Sequence, residues 1–507
     1  MNKKDIGLAA LSGVLFAFSL PPFKTGFLAY GALVPFFFLI DKKSLKDAAR
    51  WGYVTGGIIA VLTLNWIAWA TFGGFIGVLL VWPLYLTLWS VSFTLLKQKF
   101  GDSAFLFAPF LWTTMEYLQS FSELAFPWNY LGYTQTFYLP LIQFSEYFSV
   151  YGVSFWVALL NVLIYLLLKS GNDKYRRVLL SLSIVILYAL PLGYGLYRMR
   201  TTEEQDESLR VALIQANLDP NEKWSENLYE NNFSLYERLT ASVLDSYPDL
   251  IIWPETAVSF YLRSEPHYQA RIHRLIDAPR ICFLTGALDY RYIDEQNYVY
   301  YNSALFIEPN RQGFQHHNKM KLVPFSERVP YKSFFLFRIL KNLLWNFGLG
   351  DYAVGQEETV FDGPMRTEPS GRRFKTSAAI CYESVFPEHV RRYVDKGAQF
   401  LIIITNDAWF GKTQGPFQHN QIAVFRAIET RRDIARCANT GVSCFIDRFG
   451  RVRKATKIYT QAVVVDQVRL SDEKTFFVRY GNLFANAAAI LSAALLTLCL
   501  SARAIKR

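Results

Sequence analysis

The chain has 507 residues, of which 52% are hydrophobic, 17% aromatic and only 19% charged, against roughly 25% charged in an average soluble domain. That apolar excess excludes a disordered chain and a disulfide miniprotein, and it predicts membrane spans. Five scattered cysteines (Cys282, Cys381, Cys437, Cys444, Cys499) do not make a disulfide framework or a zinc-binding Cys-x-x-Cys pair, and the net charge of +11 points to nucleic acid or an anionic membrane face, depending on where it sits.

Seven apolar segments in the first 200 residues read as spans: Ile6–Leu20, Gly26–Ile40, Tyr53–Trp69, Phe75–Leu96, Ala104–Tyr117, Val153–Leu168 and Val178–Tyr197. An eighth is Leu483–Leu500. Several fall short of the roughly 20 residues that cross a bilayer core untilted. The first pair, broken by Pro21-Pro22, also reads as one buried hairpin. Lys3-Lys4 before an apolar run is also how a signal peptide begins, but no small-residue cleavage pattern precedes Pro21-Pro22, which favours a retained span.

Loop charge tests this division. With the N-terminus inside, the inside connections hold fifteen lysines and arginines, and the three short outside connections hold Lys24 alone. This is the positive-inside pattern. Five aspartates share the inside connections, leaving there ten of the eleven net positive charges. The basic balance is therefore a topology signal and not a nucleic-acid signal. The same count places about Thr201–Lys474 outside the membrane. The predicted domains are 1–200, a membrane domain of about seven spans; 201–475, a domain on the outer side; and 476–507, a last span with a short tail on the inner side.

Within the middle domain, short β-rich runs alternate with polar, helix-like stretches, which predicts an α/β domain. Candidate strands are Leu209–Gln215, Leu250–Trp253, Cys282–Thr285, Val299–Phe306, Thr376–Ile380, Phe400–Thr405, Val442–Ile446 and Ala462–Val465. Three of them end in polar side chains, at Pro254-Glu255, Cys381-Tyr382-Glu383 and Asn406-Asp407. Read singly, Glu255 is a surface or capping carboxylate, Lys319 a solvated lysine and Cys381 an inert buried thiol. Read together, they can supply a general base, a cation for a developing oxyanion and a nucleophile.

Trp253-Pro254-Glu255, Lys319-x-x-Leu322-Val323-Pro324-Phe325-x-Glu327 and Cys381-Tyr382-Glu383 resemble the three signatures of the nitrilase, or carbon–nitrogen hydrolase, superfamily. Joined to the spans, and with Phe126-Pro127-Trp128-Asn129-Tyr130 and Asn406-Asp407-Ala408-Trp409-Phe410-Gly411, the whole chain resembles the apolipoprotein N-acyltransferase family. The resemblance implies an α-β-β-α sandwich outside a helical membrane domain of about eight spans. It implies Glu255 as base, Lys319 as stabiliser of the intermediate and Cys381 as the acylated nucleophile. Glu327 would orient the lysine and the base, Tyr382 and Glu383 would support the nucleophile, and Trp224 would match a required tryptophan. Asn302 falls on a recurrent position of unassigned role, and Ser326 stands where the family usually has Gly.

The activity so implied is a two-step acyl transfer. The sn-1 chain of a phospholipid, typically phosphatidylethanolamine, passes to the thiol and then to the α-amino group of an S-diacylglyceryl cysteine on an apolipoprotein. The implied setting is the bacterial inner membrane, with a monomeric enzyme, no cofactor and no nucleic acid. Two rival functions are a membrane-tethered amidase using the same triad on a soluble amide, and a transporter with an inert nitrilase-like domain. No metal is expected, because the six histidines lack His-Glu-x-x-His spacing, and His316-His317 read as part of the loop around Lys319. Gly348-x-Gly350-x-x-x-x-Gly355 reads as a flexible loop. Ser333–Phe347, with Phe337, Leu340, Leu344 and Phe347 at helical spacing and Trp345 beside them, reads either as a core helix or as an interfacial arm hinged near Gly348 that admits lipid.

Overall fold

The computed structural model describes residues 2–200, 207–220, 222–331, 351–366 and 371–504. The stretch Ser333–Phe347 and the hinge glycines Gly348 and Gly350 lie outside the described residues. The chain forms two compact units, Met1–Thr202 with Tyr480–Arg507, and Glu203–Arg479.

In the first unit, all eight apolar segments are helical, though not all as single spans. Long helices are Lys3–Ser19, Leu45–Leu64, Phe72–Phe100, Ser145–Lys169, Lys174–Arg200 and Leu483–Ala504. Gly26–Ile40 is three short turns. Ala104–Tyr117 is a 3₁₀ turn followed by Ala108–Leu118. Among the described residues, four stretches are long and apolar enough to cross a bilayer: Phe72–Leu118, Ser145–Lys169, Lys174–Arg200 and Leu483–Ser501. Lys174–Arg200 turns Val178, Leu182, Val185, Ile186 and Leu190 outward, an apolar face suited to lipid.

Polar groups inside this unit serve its irregular backbone. Asn161 receives the Leu33 N–H at 2.8 Å and donates to the Ala29 carbonyl at 2.7 Å, across the break between two short turns. Glu116 accepts from Trp112 Nε1 at 2.8 Å and from the Leu131 N–H at 2.7 Å, fixing the loop that carries Trp128 and Tyr130. One end of the unit gathers the basic connections. Lys43 pairs with Asp5 at 2.7 Å, Lys97 and Lys169 share Asp41 at 2.5 and 2.9 Å, and Lys99 Nζ donates to the Leu498 carbonyl at 2.6 Å.

Among its described residues, the second unit is built from two six-stranded sheets. One has the order β12-β1-β2-β3-β4-β5 and the other β11-β10-β9-β8-β7-β6. The strands are β1 Ser208–Gln215, β2 Leu250–Ile252, β3 Cys282–Tyr292, β4 Tyr298–Ile307, β5 Gln315–Asn318, β6 Phe361–Pro364, β7 Arg373–Ile380, β8 Phe400–Thr405, β9 Ile434–Ala438, β10 Cys444–Ile446, β11 Val452–Arg453 and β12 Ala462–Arg469. Their alternating side chains point to two faces. Leu213, Ile252, Leu284, Phe306, Phe374, Ile380, Ile402 and Phe445 meet in the layer between the sheets. Ile214, Trp253 and Phe283 face outward, under helices Tyr229–Ala241 and Pro266–Ile276. Helices Pro387–Asp395 and Gly415–Thr430 belong to the other sheet's half of the chain. The result is the expected α-β-β-α sandwich.

Four strands, β5, β6, β9 and β11, escape the sequence reading. β5 is Gln-His-His-Asn on a sheet edge, with no hydrophobic alternation to mark it, so His316 and His317 lie in a strand and not in a loop. β9 carries Arg436 fully buried against Asp407, and a charge in a central strand hides the pattern. The pairing of Cys437 and Cys444 is settled by their faces. Cys437 points between the sheets toward the Ile252 carbonyl at 3.3 Å, Cys444 points to Asn420 at 3.2 Å, and both are free thiols.

Candidate active site

Glu255, Lys319 and Cys381 converge at one end of the paired sheets. Trp253 anchors the first of them. Its indole is fully buried among Phe233, Tyr236 and Phe283, and its Nε1 donates to Thr240 Oγ1 at 2.9 Å. Burial of an aromatic this size contributes a few kcal/mol and holds the chain where it leaves β2. Glu255 follows, with Gly286 of β3 behind it. A Cβ on Gly286 would stand 2.6 Å from Glu255 Cα and 2.5 Å from Thr256 N, so only glycine fits there. Thr256 itself has φ +47, a region a β-branched residue rarely occupies, at a cost of roughly 1–3 kcal/mol.

The Glu255 carboxylate is held at both oxygens. Oε1 receives Asn302 Nδ2 at 2.8 Å and Lys319 Nζ at 3.2 Å, and Oε2 receives the Asn406 N–H at 2.9 Å. Lys319 lies one residue beyond β5, its N–H bonded to the Asn302 carbonyl at 2.8 Å. Its ammonium is buried and also meets Glu327 Oε1 at 2.7 Å. Asn302 Nδ2 reaches Glu327 as well, at 3.1 Å, so its place is between the two carboxylates. A tight turn with Phe325 at φ +59 brings Glu327 back, and the Val323 N–H closes on Glu327 Oε2 at 2.8 Å. Burial works against the Lys319 charge, but Glu255 and Glu327 more than offset it and hold the ammonium well above its ordinary range.

Cys381 directly follows β7, with φ +51. Strict alternation would turn it away from Ile380, but the left-handed residue brings both side chains to the layer between the sheets. Two donors hold the carbonyl of this elbow: Ser384 Oγ at 2.7 Å and His419 Nε2 at 3.2 Å. His419 is steadied by Asp407 at 2.9 Å, and Asp407 by Arg436 at 2.8 Å. Burial would raise Asp407, but Arg436 and His419 hold it well below the usual carboxylate range. Burial and the Glu255 charge push the Cys381 thiol up, while Lys319 opposes them. The resting sulfur is thus a thiol, and a proton must leave it as attack occurs.

Glu383 joins the cysteine strand to the lysine loop. One oxygen accepts the Ile380 N–H at 2.8 Å and the other the Met320 N–H at 2.7 Å, with His317 and His389 each at 3.2 Å. Burial opposes its charge, yet the two imidazoles hold Glu383 well below the ordinary range. His317, Glu383 and His389 bring ligand atoms within 4.8 Å of one another, the spacing a cation would use. Both carboxylate oxygens are engaged by backbone N–H groups, and both imidazole Nε2 atoms meet Tyr393 OH at 3.0 and 2.8 Å. The cluster therefore works as a hydrogen-bonded brace.

The remaining expected residues sit around this core. The Tyr382 ring packs edge-on against Phe386. Trp224 is half-buried, and the link to the Glu255 turn runs through its neighbour, Lys223. Lys223 is buried under that turn, its Nζ bonded to the Thr256 carbonyl at 3.3 Å and to the Thr256 hydroxyl, with the Trp224 ring 5.1 Å away. Burial pulls its ammonium down to about 8, against the attraction of Glu255. No motif marks this lysine. Gly355, read as part of a flexible loop, is instead fixed. Its N–H meets the Lys319 carbonyl at 2.9 Å, and a Cβ there would come 1.9 Å from the Asn318 carbonyl.

Residues 12–163 match the family described as apolipoprotein N-acyltransferase N-terminal domain, and residues 210–475 match carbon-nitrogen hydrolase. The chain is 35% identical to the apolipoprotein N-acyltransferase of Geobacter metallireducens, covering 95% of this chain and 93% of that one. It is 33% identical to the protein of the same name from Chlorobaculum tepidum, over 95% and 93%. Among solved structures it is similar to Nit3 of Saccharomyces cerevisiae, a nitrilase-superfamily member, at 16% identity, 53% of this chain, 93% of that one and a TM-score of 0.39.

Proposed function

The chain belongs to the apolipoprotein N-acyltransferase family, and from that premise we propose that it N-acylates lipoproteins through a thioester on Cys381. The observation that carries the mechanism is the buried Glu255–Lys319–Glu327 ion cluster beside an elbow cysteine. The first substrate is a phospholipid, with phosphatidylethanolamine as the donor. Glu255 takes the thiol proton as sulfur attacks the sn-1 ester carbonyl. The oxyanion forms beside the Lys319 ammonium, which is charged before the reaction and needs no reorganisation. As the tetrahedral intermediate collapses, Glu255 returns the proton to the departing glycerol oxygen, leaving a thioester and a lysophospholipid. The α-amino group of an S-diacylglyceryl cysteine then attacks the thioester, Glu255 takes its proton, and the thiol is restored as the amide leaves.

This geometry suits a proton that must move in both directions. Glu255 keeps three donors around it, so its carboxylate stays oriented in either protonation state. Glu327 and Asn302 hold the lysine, and Cys381 is the nucleophile that accepts the acyl group. Tyr382 and Glu383 support it from the adjoining turn.

We further infer eight membrane crossings, with the N-terminus inside and the catalytic unit on the periplasmic side of the bacterial inner membrane. The basic connections gathered at one end of the first unit, together with the C-terminal end of Leu483–Ala504, support that orientation. The enzyme acts as a monomer, with 1–200, 201–475 and 476–507 as its three segments.

The test is mass spectrometry of the purified full chain incubated with phosphatidylethanolamine. The expected result is one acyl adduct on Cys381, discharged by a diacylglyceryl lipopeptide to give an N-acylated product. No adduct with phospholipid, together with hydrolysis of a water-soluble amide, would replace this reading with that of a tethered amidase.

A further inference from the structure

We propose that Lys223 is a positioning residue for the Glu255 carboxylate, holding the turn after it in a left-handed conformation from beneath. The inference rests on Glu255 being the general base. Thr256 is the residue whose conformation is at stake. Its φ of +47 is one that a β-branched side chain leaves readily for the right-handed or extended region. Any such change would turn the peptide unit joining Glu255 to Thr256 and displace the carboxylate from Asn302, Lys319 and the Asn406 N–H.

Two contacts oppose it. On the strand side the backbone of Glu255 and Thr256 lies against Gly286, where no Cβ can be accommodated. At Thr256 itself Lys223 Nζ donates to both the carbonyl and the hydroxyl. One ammonium with several N–H groups can meet two acceptors of the same residue, which an apolar side chain of equal length cannot do. Lys223 is buried, and Glu255 is the opposite charge that acts on it. Burying a cation is costly unless it is paired and hydrogen-bonded. Its retention here is explained by the turn it holds, since stability alone would be served as well by a hydrocarbon.

The experiment uses the full-length enzyme and single-turnover acylation by labelled phosphatidylethanolamine. Lys223→Met, Thr256→Gly, the double variant and Glu255→Gln are compared. Lys223→Met is expected to slow acylation roughly 10- to 100-fold, the scale of a small misplacement of a reacting group. The phospholipid concentration giving half the maximal rate should stay within about twofold, since the lysine acts on the base through Thr256 and is not expected to bind the lipid. Glycine adopts positive φ freely, so in the Thr256→Gly background the same lysine change should cost less than about threefold. Wild-type acylation by Lys223→Met would overturn the assignment. So would an undiminished loss in the Thr256→Gly background, or a Lys223→Met chain that does not fold, which would make the lysine a determinant of the fold. Normal acylation by Glu255→Gln would instead remove the reading of Glu255 as base, so the two failures are distinguishable.

Discussion

The Oε1 atom of Glu383 lies 2.7 Å from the backbone nitrogen of Met320, so the residue two past the nucleophile grips the residue one past the lysine. Cys381 and Lys319 come from opposite sheets, and this carboxylate sets their separation. It is buried, and it also accepts the Ile380 N–H at 2.8 Å.

Glu383→Gln should therefore damage both stability and rate. An amide can accept with its oxygen, but its NH₂ would face a backbone N–H that also needs an acceptor. Breaking a buried charged network this way costs about 3–5 kcal/mol. The pH dependence follows from its depressed folded pKa. That contribution is complete above the ordinary carboxylate value and is lost as pH falls through the folded value. The stability gap between wild type and Glu383→Gln should be full at pH 7 and shrink below about pH 4.5. Denaturant midpoints across that range read it, and a gap that widened in acid would remove the brace.

Lys319→Met should stop acylation by about 10²-fold or more, through loss of the charge beside the oxyanion. It also leaves Glu255 and Glu327 facing one Asn302 amide without the intervening ammonium, so the catalytic unit should lose stability. Glu255→Gln keeps the shape and should lose a similar factor in rate with a smaller change in stability. Labelled-phospholipid acylation and thermal unfolding separate the two. Unimpaired acylation by either variant would refute its assigned role.

The Lys223 shift has the same direction as that of Glu383, but in a cation a lowered folded pKa marks a cost and not a gain. Its folded pKa of about 8 lies below the ordinary lysine value of about 10.4, so between them the unfolded chain holds more protons and stability rises with pH. The burial cost, on the order of 3 kcal/mol for a shift of this size, is present near pH 7 and relieved toward pH 10. Lys223→Met should thus gain stability relative to wild type at pH 7, and that gain should shrink by pH 10. Parallel pH-dependence in the two proteins would mean the lysine is not the titrating group.

A periplasmic-active reporter fused near Thr202 should be active, and one fused near Asp173 inactive, because the segment between them crosses once. The reverse pattern would invert the orientation and place the catalytic unit in the cytoplasm.

Much of the candidate site was legible because it lies at strand ends marked by short signatures. Trp253-Pro254-Glu255 and Ile380-Cys381-Tyr382-Glu383 follow apolar runs, and both fall where β2 and β7 stop. Other parts left no local trace. β5 is a polar edge strand, and its register against β4, Ser303 opposite Asn318, is what places Lys319. β9 hides its pattern because Arg436 is paired with Asp407, 29 positions away.

The sequence by itself determined the two-part architecture, since apolar length and loop charge are additive along the chain and need no folding to be counted. It also singled out Glu255, Lys319, Cys381, Glu327 and Glu383 as candidates, because each lies within a short contiguous signature. Only the tertiary structure decided what connects them. Asn302 between two carboxylates, the Asn406 N–H on Glu255, His419 and Ser384 on the Cys381 carbonyl, and Lys223 beneath Thr256 are contacts between residues 3 to 151 positions apart. Most join separate elements. Which of those forms is set by how the elements pack, and no short window of sequence contains that information.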